Sequence, residues 1–228
     1  QNKKLRFNKI EFDNVDFHYN KNEKNIFSNI SISINRGEVI GILGESGSGK
    51  STFINLISGL IKPTKGKIKI NSEDLENIKN NWLSCLGYVP QQVTLFNDTI
   101  ANNISFFEEK KDNNKFQENL ESVIKKVNLK DFINSLPEKE NTEVGENAAK
   151  LSGGQIQRIG ISRALFNDPE FIIFDESTNS LDEQNEINIM DFIYSLKNSK
   201  TVLIISHKKS ILEKCDKIYE VKDKKINL

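Results

Sequence analysis

Residues 44–52 read Gly44-Glu45-Ser46-Gly47-Ser48-Gly49-Lys50-Ser51-Thr52, the Walker A pattern G-x-x-x-x-G-K-S of a phosphate-binding loop. An apolar run, 38–43, precedes the loop and a periodic apolar run, 53–60, follows it, which is the strand–loop–helix context that the pattern requires. The glycines allow successive backbone N–H groups to converge on phosphate oxygens, and the following helix adds the positive end of its dipole. We expect Lys50 to reach the β- and γ-phosphates of a nucleotide, and the Ser51 hydroxyl to bind Mg²⁺.

The composition excludes several classes of protein. The 228 residues suit one large α/β domain, and Lys+Arg and Asp+Glu are both 32, so the net charge is zero and gives no sign of a nucleic-acid partner. Cys85 and Cys215 form no CxxC pair and are typical of thiols in a reducing compartment. No apolar run approaches the ~20 residues that cross a bilayer. Because the chain starts at Gln1 rather than Met, we expect it to be part of a longer or processed protein.

Apolar patterning predicts two kinds of strand. Residues 9–19 and 30–34 alternate apolar and polar side chains, which is typical of half-buried antiparallel strands. Residues 171–174 (FIIF) and 201–206 (TVLIIS) are continuously apolar, which is typical of strands buried in a parallel sheet. From about 98 to 153, the apolar side chains instead recur at helical spacing, so this region is predicted to be a helical subdomain.

A pair of acidic residues, Asp175 and Glu176, ends the buried strand 171–174 and looks like a Walker B element. In such an element Asp175 helps to hold Mg²⁺, while Glu176 lies near the γ-phosphate and polarises the attacking water. Ligands of open α/β sheets bind at the carboxyl ends of the strands. The buried strands therefore bring the phosphate loop, these carboxylates and His207, which follows strand 201–206, to one edge of the sheet.

The stretch Leu151-Ser152-Gly153-Gly154-Gln155 predicts the start of a long helix. Ser152 and Gln155 have the spacing of a capping box, with the serine at N-cap and the glutamine at N3. A cap does not need two glycines, and glycine inside a helix costs up to ~1 kcal/mol. Gly153 and Gly154 therefore suggest a second role, in which backbone N–H groups and the serine hydroxyl closely approach an anion.

This LSGGQ stretch, in order between Walker A and Walker B, resembles the ATP-binding domain of ABC (ATP-binding cassette) transporters, and the resemblance covers the chain from Phe12 to its last strand. It implies an α/β fold with a P-loop NTPase (RecA-like) parallel-sheet core, an antiparallel β subdomain and an inserted helical subdomain. It also implies a single ABC domain over 1–228, with its core at 1–91 and 157–228 and the helical subdomain at about 92–156. We expect a transmembrane domain upstream of this chain.

The resemblance assigns roles to two residues near the phosphate loop. Tyr19 matches the aromatic residue that stacks on adenine, although a core tyrosine at a strand end is the alternative. His207 matches the switch histidine that contacts the γ-phosphate, and an exposed loop histidine is its alternative.

Two further matches lie outside the phosphate loop. Gln91 matches the Q-loop glutamine that contacts Mg²⁺ or the attacking water, although the adjacent Gln92 leaves the assignment open by one residue. Asp182 in the stretch 179–182 (NSLD) matches the aspartate of the D-loop. The expected site therefore comprises the catalytic residues Glu176, His207 and Gln91, the Mg²⁺ ligands Ser51, Gln91 and Asp175, and the nucleotide-binding residues Tyr19, Gly44, Glu45, Ser46, Gly47, Ser48, Gly49, Lys50, Ser51, Thr52, Ser152, Gly153, Gly154, Gln155 and Asp182.

The resemblance also implies an ATP-dependent head-to-tail dimer, because LSGGQ begins a helix in another subdomain from Lys50. In such a dimer LSGGQ of one chain closes over the ATP held by Walker A of the other. The partner is expected to be a second ABC ATP-binding domain. Either an identical chain or a different one with a degenerate site is compatible with the sequence.

Two segments favour an exporter. Residues 142–146 (TEVGE) resemble the X-loop of ABC exporters, and residues 95–104 (LFNDTIANNI) resemble the exporter segment that touches the coupling helices of the membrane domain. This implies an ATP hydrolase at the cytoplasmic face of a bacterial inner membrane that powers export or flipping of a lipid, lipid-linked glycan or peptide. A separate ATPase subunit of an importer and a non-transport ABC ATPase are the alternatives.

Overall fold

The computed structural model describes residues 5–20, 25–106, 113–145, 151–179 and 181–228. Glu146 of the predicted X-loop and Ser180 of the predicted D-loop lie outside these residues.

The described elements alternate between strands and helices. The strands are β1 Lys9–Phe17, β2 Phe27–Asn35, β3 Val39–Leu43, β4 Lys65–Ile70, β5 Glu73–Asp74, β6 Leu86–Val89, β7 Asp98–Thr99, β8 Glu143–Val144, β9 Phe171–Asp175, β10 Thr201–Ser206, β11 Lys217–Lys222 and β12 Lys225–Asn227. The helices are α1 Lys50–Ile57, α2 Leu75–Leu83, α3 Ile100–Ser105, α4 Asn113–Lys126, α5 Lys130–Ser135, α6 Gly153–Leu165, α7 Glu183–Ser195 and α8 Lys209–Leu212, with a short 3-10 turn at Lys139–Asn141.

The chain divides into two compact units. The first comprises 1–87, 170–176 and 193–228, and the second comprises 88–169 and 177–192. The second unit thus contains the whole of α6, whereas the boundary expected from the sequence, 156, falls inside that helix.

An antiparallel sheet in the first unit has the strand order β2-β1-β4-β5. Phe12 in β1 lies opposite Ile32 in β2 and Ile68 in β4, and these side chains are buried. The alternation of apolar and polar side chains predicted for β1 and β2 is therefore confirmed. The strand β1 ends at Phe17, so Tyr19 lies beyond it.

A second sheet has the order β12-β11-β3-β10-β9-β6. The strands β11, β3, β10 and β9 run parallel, and every residue of β10 is buried. The register places Ser206 beside Leu43 and Ile205 beside Asp175, so the carboxyl ends of β3, β10 and β9 are level. The P-loop-type α/β fold with an antiparallel subdomain and an inserted helical subdomain, predicted from the sequence, is confirmed.

The helix α2 was not predicted, because its sequence, LENIKNNWL, is mostly polar and buries only Leu75 and Trp82. Asp74 caps it by accepting a hydrogen bond from the backbone N–H of Glu76. The Trp82 indole donates to the carbonyl of Ile57 over 2.8 Å and packs against Phe7 and Phe171. The helix thus closes the core below α1 through one large aromatic side chain.

The second unit is mainly helical, as predicted. Its core is formed by apolar side chains of α4 and α5 and the residues that follow them, namely Phe116, Leu120, Val123, Ile124, Val127, Leu129 and Ile133. The short strands β7 and β8 pair with each other, with Asp98 opposite Val144 and Thr99 opposite Glu143. None of the described helices is both long and apolar enough to span a membrane.

Candidate active site

The phosphate loop joins β3 to α1, as its sequence pattern predicts. Gly49 is the N-cap residue of α1 and adopts a φ of 112°, a left-handed conformation that disfavours a side chain. A Cβ at Gly49 would also lie 3.0 Å from the Phe27 ring. Gly47 has a φ of 79°, so two sharp backbone turns shape the loop before the helix begins.

The Lys50 side chain is buried at the start of α1. Its ammonium donates to the carbonyls of Gly44 over 2.8 Å and Glu45 over 2.9 Å, and it lies 3.2 Å from Oε1 of Glu176. An ammonium has three N–H donors. A phosphate that approaches Lys50 must therefore compete with the loop carbonyls or with the Glu176 carboxylate.

Glu176 follows β9 directly and is held in an unusual backbone conformation. Its φ is 45°, which is rare for a residue with a side chain, and its N–H donates to the carbonyl of Ile205 over 3.0 Å. Its carboxylate lies between Lys50 on one oxygen and His207 Nδ1 on the other, the latter at 3.4 Å. Strained conformations of this kind cluster at functional sites and cost of order 1–3 kcal/mol. The strained turn here directs the carboxylate toward the phosphate loop.

His207 follows β10 as predicted. Its side chain is 49% exposed, so it is not part of the core, but it is placed beside Glu176 rather than standing alone in a loop. Asp175, the last residue of β9, is partly buried and level with Ile205. The first unit therefore brings together the phosphate loop, Asp175, Glu176 and His207 at one edge of the parallel sheet.

Tyr19 lies next to the phosphate loop and is not a core residue. The residue is 54% exposed, which makes the alternative of a buried strand-end tyrosine wrong. Its hydroxyl lies 3.2 Å from the Thr52 hydroxyl in the first turn of α1, and its ring packs edge-on against Phe17. These two contacts orient an exposed aromatic ring, as a base-stacking residue requires.

The donor set of this edge fits Mg²⁺ bound together with phosphate. Ser51 and Asp175 offer a hydroxyl and a carboxylate oxygen, which are ligands that Mg²⁺ prefers. Among the residues that the structure describes, no cluster of three or more His, Cys, Asp or Glu residues could hold a metal by itself. Ser48 Oγ in the loop is buried and makes no hydrogen bond within the described part of the chain, so the loop retains donor capacity for an anion.

The second unit contains the LSGGQ stretch, and its predicted capping box is confirmed. The Gln155 N–H donates to Ser152 Oγ over 3.2 Å, and the Ser152 N–H donates to Gln155 Oε1 over 2.8 Å. Ser152 and Gly153 are exposed at the start of α6. The helix ends at Leu165.

The two glycines of this stretch differ in their surroundings. Among the described residues, a Cβ at Gly153 would meet only Leu181, at an ordinary 3.7 Å. A Cβ at Gly154 would lie 2.8 Å from Oδ1 and 2.9 Å from Cγ of Asn185. Close packing within the chain therefore already accounts for glycine at 154, whereas no close contact with described residues accounts for Gly153.

Asp182 is placed at the start of α7. Its two carboxylate oxygens accept from Asn185, one from the backbone N–H over 3.1 Å and one from the side-chain amide over 2.7 Å. The side-chain bond from Asn185, followed by the backbone bond, holds the pKa of Asp182 below its ordinary value. Gln91 and Gln92 are both exposed after β6, so the structure does not decide between them.

The TEVGE stretch and the 95–104 segment are parts of one structure, because they contain β8 and β7. Gly145 packs so closely on Asn97 that a Cβ would lie 2.6 Å from the Asn97 Cα. The Ile100 N–H also donates to the carbonyl of Thr142 over 3.0 Å. These contacts hold the two segments against each other, and the sequence alone did not show that they are neighbours.

An arginine of α6 anchors the same region. Arg163 donates to the carbonyls of Asn103 over 2.8 Å and Thr94 over 3.1 Å, and its guanidinium stacks on the rings of Phe96 and Phe106. Both rings are exposed, at 40% and 59%. Sequence reasoning missed Arg163, Asn103 and Asn185, since only spatial neighbours reveal their roles.

Fold and site together define a nucleotide-binding domain of the P-loop class. The model of the ABC transporter family matches residues 27–179, and the chain belongs to this family. The resemblance to ABC exporters predicted from the sequence is confirmed.

The relatives include proteins that are named as exporters. The chain is 42% identical to the leukotoxin export ATP-binding protein LtxB of Aggregatibacter actinomycetemcomitans, over 92% of this chain and 29% of that protein. It is 38% identical to the ATP-dependent lipid A-core flippase of Pseudomonas aeruginosa, over 92% of this chain and 34% of that protein. It also superposes on the structure of a bacterial Atm1-family ABC exporter with ATP bound, with a TM-score of 0.85, 32% identity, and coverage of 97% of this chain and 38% of that one. The chain thus spans well under half the length of these relatives.

Proposed function

We propose that this chain is the ATP-binding and ATP-hydrolysing domain of an ABC exporter and that hydrolysis powers export or flipping of a substrate. The observation that carries the proposal is the meeting of Lys50, Glu176 and His207 beside the phosphate loop, with Lys50 and His207 on opposite oxygens of the Glu176 carboxylate. Such a cluster supplies a phosphate-binding cation, a base for water and a histidine next to that base.

In the proposed reaction the γ-phosphate binds the loop N–H groups and Lys50, and adenine stacks on Tyr19. The Glu176 carboxylate polarises a water molecule, whose oxygen forms a bond to the γ-phosphorus while the bond to the β–γ bridging oxygen breaks. The products are ADP and inorganic phosphate. Glu176 takes up the proton of the water, and His207 contacts the γ-phosphate. Ser51 and Asp175, with Gln91, would hold Mg²⁺, which neutralises charge on the β- and γ-phosphates.

The second unit is proposed to act on the ATP of a partner domain. Ser152 and Gly153 are exposed at a helix start, where backbone N–H groups favour an anion. A head-to-tail dimer would place this surface, with Gln155, Gly154 and Asp182, over the nucleotide of a second ABC ATP-binding domain. An identical partner would give two complete sites.

A membrane domain is proposed as the second partner. The exposed rings of Phe96 and Phe106, held by Arg163, form an apolar surface in the segment that resembles the exporter contact with coupling helices. This arrangement would place the chain at the cytoplasmic face of a membrane, in a bacterium the inner membrane. The names of the relatives favour a lipid, lipid-linked glycan or peptide as the substrate.

The test is release of inorganic phosphate from Mg·ATP by the purified chain. We expect turnover in the wild type, loss of at least about 100-fold in Glu176→Gln because the base is removed, and ATP-dependent dimers that accumulate in that variant. Glu118→Gln, an exposed change on α4, should hydrolyse ATP at the wild-type rate. Wild-type turnover by Glu176→Gln would contradict the role of Glu176.

The hydropathy of the residues encoded upstream of Gln1 distinguishes an exporter from the importer and non-transport alternatives. Several apolar spans of ~20 residues in frame would support a fused exporter. A start codon just before Gln1 without such spans would favour a separate subunit.

A further inference from the structure

We propose that Asn185 is a positioning residue that joins the D-loop aspartate, Asp182, to the LSGGQ stretch at Gly154 within one chain. The inference rests on the proposed function, because it gives Asn185 a part in ATP-dependent dimerisation. Asn185 lies in the first turn of α7 and touches neither the phosphate loop nor the Glu176 cluster in the contacts of the described residues.

The link to Asp182 is made by two hydrogen bonds. The Asn185 backbone N–H binds Oδ1 over 3.1 Å, as in an ordinary helix cap, and the side-chain amide binds Oδ2 over 2.7 Å. The second bond is the specific one, because any residue at 185 except proline can supply the first. It fixes the rotamer of Asp182 as well as that of Asn185.

The link to Gly154 is made by contact. The Cβ that Gly154 lacks would lie within 3.2 Å of Oδ1, Cγ and Nδ2 of Asn185, so the Asn185 amide occupies the space beside the glycine. A carboxylate accepts hydrogen bonds and does not donate them. The NH₂ group of Asn185 therefore faces Asp182, and the Oδ1 end is the one nearest to Gly154.

The two links together make Asn185 a rigid spacer. When Asp182 moves, its hydrogen bond turns the Asn185 amide. The turned amide then either presses on the backbone of Gly154 or loses its contact with Gly154. The first turn of α6, where Ser152 binds the Gln155 N–H, is the element that responds. In the proposed dimer both ends of the spacer face the partner, so Asn185 would keep the D-loop and LSGGQ in one arrangement.

The test compares Asn185→Leu with Asn188→Leu. Leucine keeps the γ-branched shape of asparagine but is larger and donates no hydrogen bond. Asn188, one turn further along α7, is exposed and bonded to Gln184, so it is a matched control. If the leucine variant fails to fold, Asn185→Ala takes its place in the same measurements.

The first readout needs no nucleotide. We expect hydrogen exchange at the Gln155 amide, whose N–H binds Ser152, to be at least fivefold faster in Asn185→Leu than in the wild type. Exchange in α1 of the first unit should be unchanged, and Asn188→Leu should match the wild type at both sites. Unchanged exchange at Gln155 in both Asn185 variants would overturn the link.

The second readout addresses the role. Asn185→Leu should bind a fluorescent ATP analogue within about twofold of the wild type, because Lys50 and its loop are untouched. Its ATP-dependent self-association and kcat should fall at least about tenfold. If Asn185→Leu shows faster exchange at Gln155 but self-associates like the wild type, the positioning role is overturned. If the wild type itself neither dimerises nor hydrolyses ATP, the proposed function is overturned, and the positioning role of Asn185 falls with it.

Discussion

Lys50 and Glu176 form an ion pair with a separation of 3.2 Å, and their side chains are only 8% and 15% exposed. The proposed phosphate-binding cation and the proposed catalytic base are thus each other's partners. Two carbonyls take the remaining N–H donors of Lys50. In the proposed reaction, the Lys50 ammonium would therefore link nucleotide binding to the release of the Glu176 carboxylate toward water.

This pair predicts that Glu176→Gln binds ATP more tightly than the wild type. A neutral amide competes less well than a carboxylate for the Lys50 ammonium, and charge-assisted hydrogen bonds are roughly twice as strong as neutral ones. We expect the Kd for ATP to fall by about threefold to tenfold, equivalent to about 1 kcal/mol. Titration of a fluorescent ATP analogue at protein concentrations too low for ATP-dependent dimers to form checks this.

The control for this measurement is Lys50→Met, which should weaken ATP binding at least about tenfold because the cation is lost. Lys62→Met, an exposed lysine paired with Glu76, should bind ATP as the wild type does. Equal or weaker ATP affinity in Glu176→Gln would show that Glu176 does not compete with phosphate for Lys50.

The hydrogen bond between Tyr19 and Thr52 predicts graded effects at Tyr19. Tyr19→Phe keeps the ring against Phe17 but loses the hydroxyl, so the KM for ATP should rise only about twofold to fivefold, as one hydrogen bond of about 1 kcal/mol allows. Tyr19→Ala removes the stacking surface and should raise the KM at least about tenfold. Steady-state kinetics measure both.

A matched control for Tyr19 is Tyr88→Ala, since Tyr88 is also exposed, at 47%, but lies in the second unit. Its KM should remain at the wild-type value. If Tyr19→Ala were to keep the wild-type KM, the assignment of Tyr19 to adenine would be wrong.

Asp98 predicts an acid-sensitive contribution to stability. Its carboxylate accepts from the Thr99 N–H over 2.6 Å and from the Asn102 amide over 2.7 Å, and the pKa of Asp98 is lowered, chiefly by the Thr99 bond. A lowered folded-state pKa stabilises the fold above the unfolded pKa, near 3.8, and this contribution is lost as the pH falls through the folded value.

Asp98→Asn keeps an acceptor oxygen but does not titrate. The difference in urea midpoint between wild type and Asp98→Asn should therefore shrink or reverse between about pH 6 and about pH 3. A constant difference for Asp98→Asn would contradict the lowered pKa.

The local features of this fold could be predicted from its sequence because each is set by neighbouring residues. The phosphate loop, the strands β3, β9 and β10 and the capping box of Ser152 follow from apolar runs and cap spacing. The alternation of buried strands with helices indicated a parallel sheet, and the resemblance to ABC transporters implied the P-loop core with its two subdomains.

The features that could not be predicted are contacts between distant segments. The Gly154–Asn185 contact, the stacking of Arg163 on Phe96 and Phe106 and the strain at Glu176 arise only when the chain is folded. Glycine at 154 suggested an anion site from sequence, yet packing on Asn185 is a sufficient reason for it. The sequence did suggest that glycine was needed, but not which neighbour requires it.

Gly145 and Gly153 predict opposite effects of alanine on stability. Gly145 has a φ of 145° and its Cβ would lie 2.6 Å from the Asn97 Cα, which is backbone and cannot move cheaply. Gly145→Ala should lower the free energy of unfolding by about 2 kcal/mol or more. In the described part of the chain, the new methyl group of Gly153→Ala meets only Leu181, at 3.7 Å, in the first turn of α6. The change should therefore leave stability unchanged or raise it by up to about 1 kcal/mol. Urea unfolding followed by a probe in the second unit measures both changes. Asn97→Ala should not rescue Gly145→Ala, because the clash with the Cα remains; a full rescue would show that only the Asn97 side chain requires glycine at 145.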